Sequence, residues 1–313
     1  MITLVQLEYI VAVDTHRHFA QAAAHCFVTQ PTLSMQIKKL EDDLDIRIFD
    51  RTKQPVVPTD IGKKVIEQAR RVLAEAGRMS EMVKLHLGNL SGDLRLGIIP
   101  TLGPYLLPLF AGNFKKKYPK ANLHIEELVT EQIAEKLRTD QLDAGIFVTP
   151  FDDQGIIEQP LFYEEMLIYA HLKHPLLQKQ QVEVMDMNSP DIWLLNDGHC
   201  FRSQVINLCA IRPDSRQELP FDLEGGSLET LMRIIRREGG FTIIPELTAN
   251  ELWGNEAAHI ARFSGQKPLR EVSLCYSRNY VKYNLIQRLV EEIKGSVPEE
   301  MLNKERGELV TWK

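Results

Sequence analysis

Cys200 and Cys209 stand nine positions apart in a 313-residue chain with four cysteines, and their neighbours give them unequal chemistry. Asp197-Gly198 reads as a turn and the residues from about Phe201 as a short helix, with Cys200 at its N-terminal mouth. Nine residues of helix separate two Cα atoms by roughly 13 Å, whereas a disulfide needs them within about 7 Å. If the two ever bond, the helix must unwind. Amides at a helix start carry partial positive charge, His199 precedes the first cysteine and Arg202 follows it, so the Cys200 thiol is expected to be acidified into the range of about 3.5 to 7.5. Cys209, flanked by Leu208, Ala210 and Ile211, has no such company. Two buried, inert thiols are the plain alternative, because free cysteine is a common core residue. Cys26 and Cys275 read as structural.

The rest of the composition narrows the class. Glu8 and Asp14 interrupt the apolar start, and no run approaches the ~18 apolar residues of a membrane span, so a cytoplasmic protein with no membrane partner is expected. There is no CxxC and no Cys/His ligand spacing, which predicts no metal and makes any thiol chemistry regulatory. No GxGxxG, GxSxG, P-loop or HExxH pattern is present, so neither a cofactor nor an enzyme is expected. The formal charge is −6, divided as +1 over residues 1–91 and −7 over 92–313. Nucleic-acid binding would therefore have to rest on local clusters in the first segment.

That segment supplies them. Leu4, Leu7, Ile10, Val11 and Val13 suggest one helix, Phe19, Ala22, Ala23 and Cys26 a second, and Thr29 to Glu41 a third with Pro31 in its first turn. Leu33, Ile37 and Leu40 share one face of the third helix, while Gln30, Thr32, Ser34, Gln36 and Lys38 present hydrogen-bonding groups elsewhere. Two helices joined by a short turn, the second opening with small polar and amide side chains, suit a major groove. A merely solvated face is the alternative. Arg47, Arg51 and Lys53 follow in a proline-rich hairpin, Ile46 to Pro58, shaped like a wing that could reach phosphates.

Phe19-Ala20-Gln21-Ala22-Ala23, Thr29-Gln30-Pro31-Thr32-Leu33-Ser34, Gln36-Ile37, Leu40-Glu41, Phe49-Asp50-Arg51 and Thr59-Asp60-Ile61-Gly62 resemble the winged helix-turn-helix of LysR-type transcriptional regulators. Ile99 to Pro108, and Asp197-Gly198-His199-Cys200 with Cys209, resemble the peroxide-sensing OxyR subgroup of that family, and the likeness runs from Met1 to about Ile293. The wing departs from the family at Gln54, where a basic residue is usual, with Lys53 beside it.

The resemblance implies an α/β protein: an N-terminal winged helix-turn-helix (1–60), a dimerisation linker helix (61–88) and a two-lobed, periplasmic-binding-protein-like α/β regulatory domain (92–313). Its lobes would span 92–162 plus 268–296, and 163–267. It further implies a double-stranded DNA operator read through Gln30, Pro31, Thr32, Ser34, Lys38, Arg51 and Lys53. Partners would be a second copy, extending to a tetramer, and RNA polymerase. Hydrogen peroxide would be the signal, held by Thr101, Thr130, His199 and Arg202 against a peroxidatic Cys200 that Cys209 resolves in a reversible disulfide, with a dithiol as reductant. Read singly, Thr101 and Thr130 are also plausible helix N-caps.

Between these sites, Thr59 and Asp60 should cap a helix to about Leu87. Its seam of Ile61, Val65, Ala69, Val72, Ala76, Met79 and Val83 asks for a partner chain, and residues 88–92 make a hinge. Strands are predicted at 93–99, 123–128, 142–148, 166–170, 192–195, 241–244 and 271–276, with helices at about 102–117, 131–139, 227–237 and 283–294. That alternation predicts parallel sheets. The tail after Pro298 carries no functional signal. Two other functions fit parts of the pattern: a regulator responding to a small organic effector, and a thiol peroxidase.

Overall fold

The computed structural model describes residues 2–86, 90–153, 155–187, 189–196, 200–209, 219–221, 223, 227–265, 267–277 and 282–310. His199, the Asp197-Gly198 turn and residues 87–89 of the expected hinge lie outside them.

Helices α1 (Leu4–His16), α2 (Phe19–His25) and α3 (Gln30–Leu44) form the head around Leu7, Ile10, Val13, Leu33, Ile37 and Leu40. Thr3 starts α1 with a capping box to Gln6, and Thr29 caps α3 by accepting from the Thr32 amide at 3.4 Å. The wing is a short antiparallel pair, β1 (Phe49–Asp50) and β2 (Val57–Pro58). Glu41, 1% exposed on α3, anchors it by accepting from the Ile48 amide at 2.8 Å and from Arg51 at 3.1 Å.

Helix α4 runs from Asp60 to His86. Thr59 Oγ1 accepts from the Gly62 amide at 2.9 Å, and a Cβ at Gly62 would come within 2.0 Å of the Ile48 carbonyl oxygen, so this turn requires glycine. The expected seam divides. Ala69 is buried with Ile66 in the head's own core, whereas Ile61, Val72 and Met79 are 48%, 38% and 71% exposed. Ala69 thus belongs to the α1 contact, because α1 packs along one face of α4 and leaves the other uncovered.

Beyond it come β3 (Gly92–Ile98), α5 (Gly103–Lys117), β4 (Ala121–Glu127), α6 (Thr130–Arg138), β5 (Ala144–Thr149) and the long β6 (Ile156–Ala170). Then follow α7 (Cys200–Cys209), α8 (Leu228–Glu238), β7 (Phe241–Pro245), α9 (Glu246–Asn250), β8 (Ile260–Ala261), β9 (Pro268–Ser277), α10 (Tyr283–Ser296) and β10 (Glu308–Leu309). The sheet order is β4-β3-β5-β9-β6-β7, with β8 on β6 and β10 on β9.

This sheet is mixed, not parallel. β3 lies parallel to β4 and β5, but β9 is antiparallel to both β5 and β6, and β6 is antiparallel to β7. The chain leaves one lobe along β6 and returns along β9, and an outgoing and a returning strand laid side by side must run oppositely. The expected strand at 192–195 reduces to one bridge, Ile192 to Phe241, while 156–165, with no predicted strand, pairs with β9. Two cores flank the crossover. One gathers β3, β5, α5, α6 and α10; the other gathers the end of β6, β7, α8 and Trp193.

Candidate functional site

Helix α7 lies across both cores. Cys200 belongs to the first, with Ile99, Leu102 and Leu247, whereas Phe201, Val205 and Cys209 belong to the second. Both cysteines are free and buried, 5% and 2% exposed, at opposite ends of a 10-residue helix. Cys200 lines a small recess with Ile99, Pro100, Thr101, Val129, Thr130 and Phe201, closed to a sphere the size of water.

The two threonines do not cap helices. Leu102 and Val129 hold the N-cap positions of α5 and α6 without side-chain bonds, which leaves both hydroxyls to the recess. The Thr130 hydroxyl, 1% exposed and without a well-formed hydrogen bond among the described residues, lines the recess beside the Cys200 thiol and favours the thiolate. The Thr101 hydroxyl accepts from Arg270 Nη1 at 3.2 Å, and its carbonyl oxygen accepts from Nη2 at 3.4 Å.

Arg270 is the residue the sequence pattern did not single out. It is 0% exposed in β9, directly opposite the equally buried Glu164 on β6, and the pair closes through Nε at 2.7 Å and Nη2 at 2.6 Å. Its guanidinium stacks over Phe201 with 5.0 Å to the ring centroid, so one cation touches Thr101, α7 and the crossover strand. A signal was available: a charged residue inside an apolar strand needs a buried partner, and Glu164-Glu165 interrupts the other apolar crossover strand.

Two expectations change. Arg202 is not the cation of the recess: its Nη1 donates to the Leu195 carbonyl at 2.9 Å, and the charge that favours the Cys200 thiolate is that of Arg270. Nor is the resting thiol acidic. Burial pushes Cys200 above its ordinary value, against the pull of Thr130 and Arg270, with Glu131 raising it and the Phe201 amide lowering it. Burial lifts Cys209 to about 12. Cys275 is wholly buried and Cys26 half-buried, both raised by burial.

On the head, Gln30, Pro31, Thr32 and Lys38 are exposed along α3, Ser34 is half-buried and Lys53 is exposed in the wing. Arg51 is partly committed, donating to Ser34 Oγ at 3.3 Å and to Glu41, and lying over the Phe19 ring. It braces the wing against α3.

A winged helix-turn-helix head on a long helix, followed by a two-lobed α/β unit, defines a class of DNA-binding regulators that pair a reader with a sensor. Residues 4–63 match the family described as bacterial regulatory helix-turn-helix protein, lysR family, and residues 87–298 match the LysR substrate binding domain. The chain belongs to the LysR family. It is 35% identical over 292 residues to the hydrogen peroxide-inducible genes activator of Haemophilus influenzae, covering 93% of this chain and 96% of that one. Among solved structures it resembles a full-length OxyR variant from Pseudomonas aeruginosa, with a TM-score of 0.78 at 32% identity over 95% of this chain and 99% of the other. A hydrogen-peroxide-bound OxyR mutant from Corynebacterium glutamicum matches at a TM-score of 0.60 and 28% identity, over 94% and 92% of the two chains.

Proposed function

We propose that this protein is a cytoplasmic, peroxide-sensing transcription regulator whose switch is a reversible Cys200–Cys209 disulfide. The observation that carries the reading is the recess: a buried thiol at a helix start, flanked by two threonine hydroxyls and a buried arginine that one of them contacts. No helix among the described residues is long and apolar enough to cross a membrane, which fits a protein that works on DNA.

In this mechanism Cys200 loses its proton and its sulfur attacks one peroxide oxygen. The O–O bond breaks, a sulfenic acid forms and the departing hydroxide takes up a proton to become water. Once the recess widens to admit peroxide, Thr101 and Thr130 orient the oxidant, Arg270 stabilises the negative charge that moves from sulfur to the leaving oxygen, and His199 is assigned a share in that proton transfer. Cys209 then attacks the sulfenic sulfur, forming the disulfide and releasing a second water. Helical geometry keeps the cysteines ~13 Å apart, so α7 unwinds before or during this step. Unwinding also returns Cys209 from about 12 toward its ordinary acidity, so the resolving thiol becomes reactive only once it is within reach. A cellular dithiol reverses the bond.

Gln30, Pro31, Thr32, Ser34 and Lys38 read base edges and Lys53 meets phosphate, with Arg51 holding the wing. The exposed Ile61, Val72 and Met79 of α4 pack against a second copy, and a tetramer would carry the lobe rearrangement to four heads. RNA polymerase is the downstream partner. One observation favours a second reading, an organic effector: a hollow of about 430 Å³ beside Pro100 and Val129, bounded by Tyr105, Glu127 and Ser227. Footprinting reduced and peroxide-treated protein on its operator tests the choice. A peroxide-dependent shift that vanishes in Cys200→Ser supports the switch; a footprint blind to peroxide but altered by a metabolite supports the effector.

A further inference from the structure

The chain after α10 returns to the thiol site. Met301 is wholly buried in the first core. Arg306 sends Nη2 to Glu246 Oε1 at 2.7 Å, and the other oxygen of Glu246 accepts from the Glu165 amide at 2.9 Å. Gly307 lies so close to the crossover strand that a Cβ there would come within 2.2 Å of the Lys267 carbonyl oxygen. β10 then pairs in parallel with the start of β9: the Glu308 amide donates to the Lys267 carbonyl and the Val310 amide to that of Leu269, both at 2.8 Å. Val310 packs against the second core, and its carbonyl oxygen accepts from Gln204 Nε2 at 3.0 Å. Gln204 is 0% exposed, in the middle of α7, four residues after Cys200.

We infer that residues 306–310 are a strap on the redox helix: they hold α7 wound through the Gln204–Val310 bond, and disulfide formation releases them. The inference rests on the switch proposed above and adds its regulation. Unwinding α7 carries Gln204 away from Val310, so a buried side-chain amide loses its half-buried carbonyl partner, and this resists opening. The recess is lined by other residues, so the strap acts on the second chemical step alone. In that step the Cys209 sulfur bonds the Cys200 sulfur, the S–O bond breaks and hydroxide leaves as water, with no further oxidant consumed. Coupling is reciprocal: what the strap adds to the stability of wound α7, oxidation removes from the strap.

The full-length protein supplies the test. In single-turnover reactions with hydrogen peroxide, sulfenic acid is trapped at Cys200 and the disulfide is followed by mass spectrometry. Gln204→Leu, Gly307→Val and a chain ending at Arg306 should form sulfenic acid within about twofold of wild type but close the disulfide roughly tenfold faster, the scale of one buried hydrogen bond. Wild type needs no substitution: once oxidised, trypsin should cleave after Arg306 roughly tenfold faster and the Glu308 and Val310 amides should lose hydrogen-exchange protection. A disulfide that forms while those amides stay protected, or equal closure rates in every variant, overturns the strap and leaves the switch standing. If wild type forms no Cys200–Cys209 bond, the switch itself fails and the strap with it.

Discussion

The two ends of α7 are almost equally buried, yet their surroundings differ. At the Cys200 end the sulfur has the Thr130 hydroxyl, the Phe201 amide and the Arg270 charge around it. At the Cys209 end burial is the only influence among the described residues, and it lifts the thiol to about 12. Burial opposes ionisation of either sulfur, and at Cys200 polar neighbours offset part of that cost. The contrast extends to packing, because one helix is anchored in two cores, Cys200 in the first lobe and Cys209 in the second. A bond between its ends cannot form without pulling one of them out of its core. In the proposed switch a local oxidation would thereby become a change in how the lobes sit against each other.

Exchanging the ends gives the largest effect. Cys200→Ser should abolish the peroxide response in the footprint while leaving DNA binding intact, whereas Cys209→Ser should still be oxidised and accumulate sulfenic acid at Cys200. Equal reactivity of the two thiols toward peroxide, measured by differential alkylation, would contradict the asymmetry outright.

The polar setting of the first end is the next target. Arg270→Met strands Glu164, which is 0% exposed and otherwise sits against the Leu247 amide, so the fold should lose about 3 to 5 kcal/mol in denaturant titration. Adding Glu164→Gln should recover most of that stability. Oxidation of Cys200 should remain slow in both. A double variant that reacts at the wild-type rate would show that the buried cation serves only the fold.

How much of this was legible follows from where the atoms lie. On α3 the side chains proposed to read DNA are exposed on a single helix, so a 3.6-residue pattern is enough to bring out Gln30, Thr32 and Lys38 as candidates. Around Cys200 the groups come from the turn after β3, the start of α6, the start of α7 and the first part of β9, and no local period relates them. Arg202 is two residues from Cys200 in sequence, but the helix turns it toward Leu195; Arg270 is seventy positions away, and register with Glu164 brings it in. The sheet's direction was misread for a similar reason, since the pairing of β6 with β9 is a long-range fact that alternation does not carry. Chain order likewise gave no sign that the tail after Pro298 reaches α7.

The Cys209 end can be tested by pH. Its folded-state value, about 12, lies above the ordinary 9.0, so the protonated thiol stabilises wound α7. That contribution is complete below about pH 9 and is lost as pH rises toward 12, at about 1.4 kcal/mol per unit. Hydrogen exchange of α7, corrected for intrinsic rates, should show opening favoured from pH 9 to 10.5 in wild type. The slope should flatten in Cys209→Ala. An equal slope in both would assign the effect to other groups.

The smallest effect divides the recess itself. Thr101 and Thr130 both present a hydroxyl near Cys200, but only the Thr101 hydroxyl accepts a charged hydrogen bond, from Arg270 at 3.2 Å. Replacing Thr101 with valine deprives a buried guanidinium of a partner and should cost about 1.5 to 3 kcal/mol. The Thr130 hydroxyl has no well-formed hydrogen bond among the described residues, so Thr130→Val removes a poorly satisfied polar atom at constant shape and should leave stability unchanged or raised by up to about 1 kcal/mol. If both hydroxyls position peroxide, both variants should nonetheless slow sulfenic acid formation several-fold. Opposite signs in stability with the same sign in rate would separate packing from chemistry at this end of α7. Rates that merely track the stabilities would mean that the threonines hold the recess closed and do not touch the oxidant.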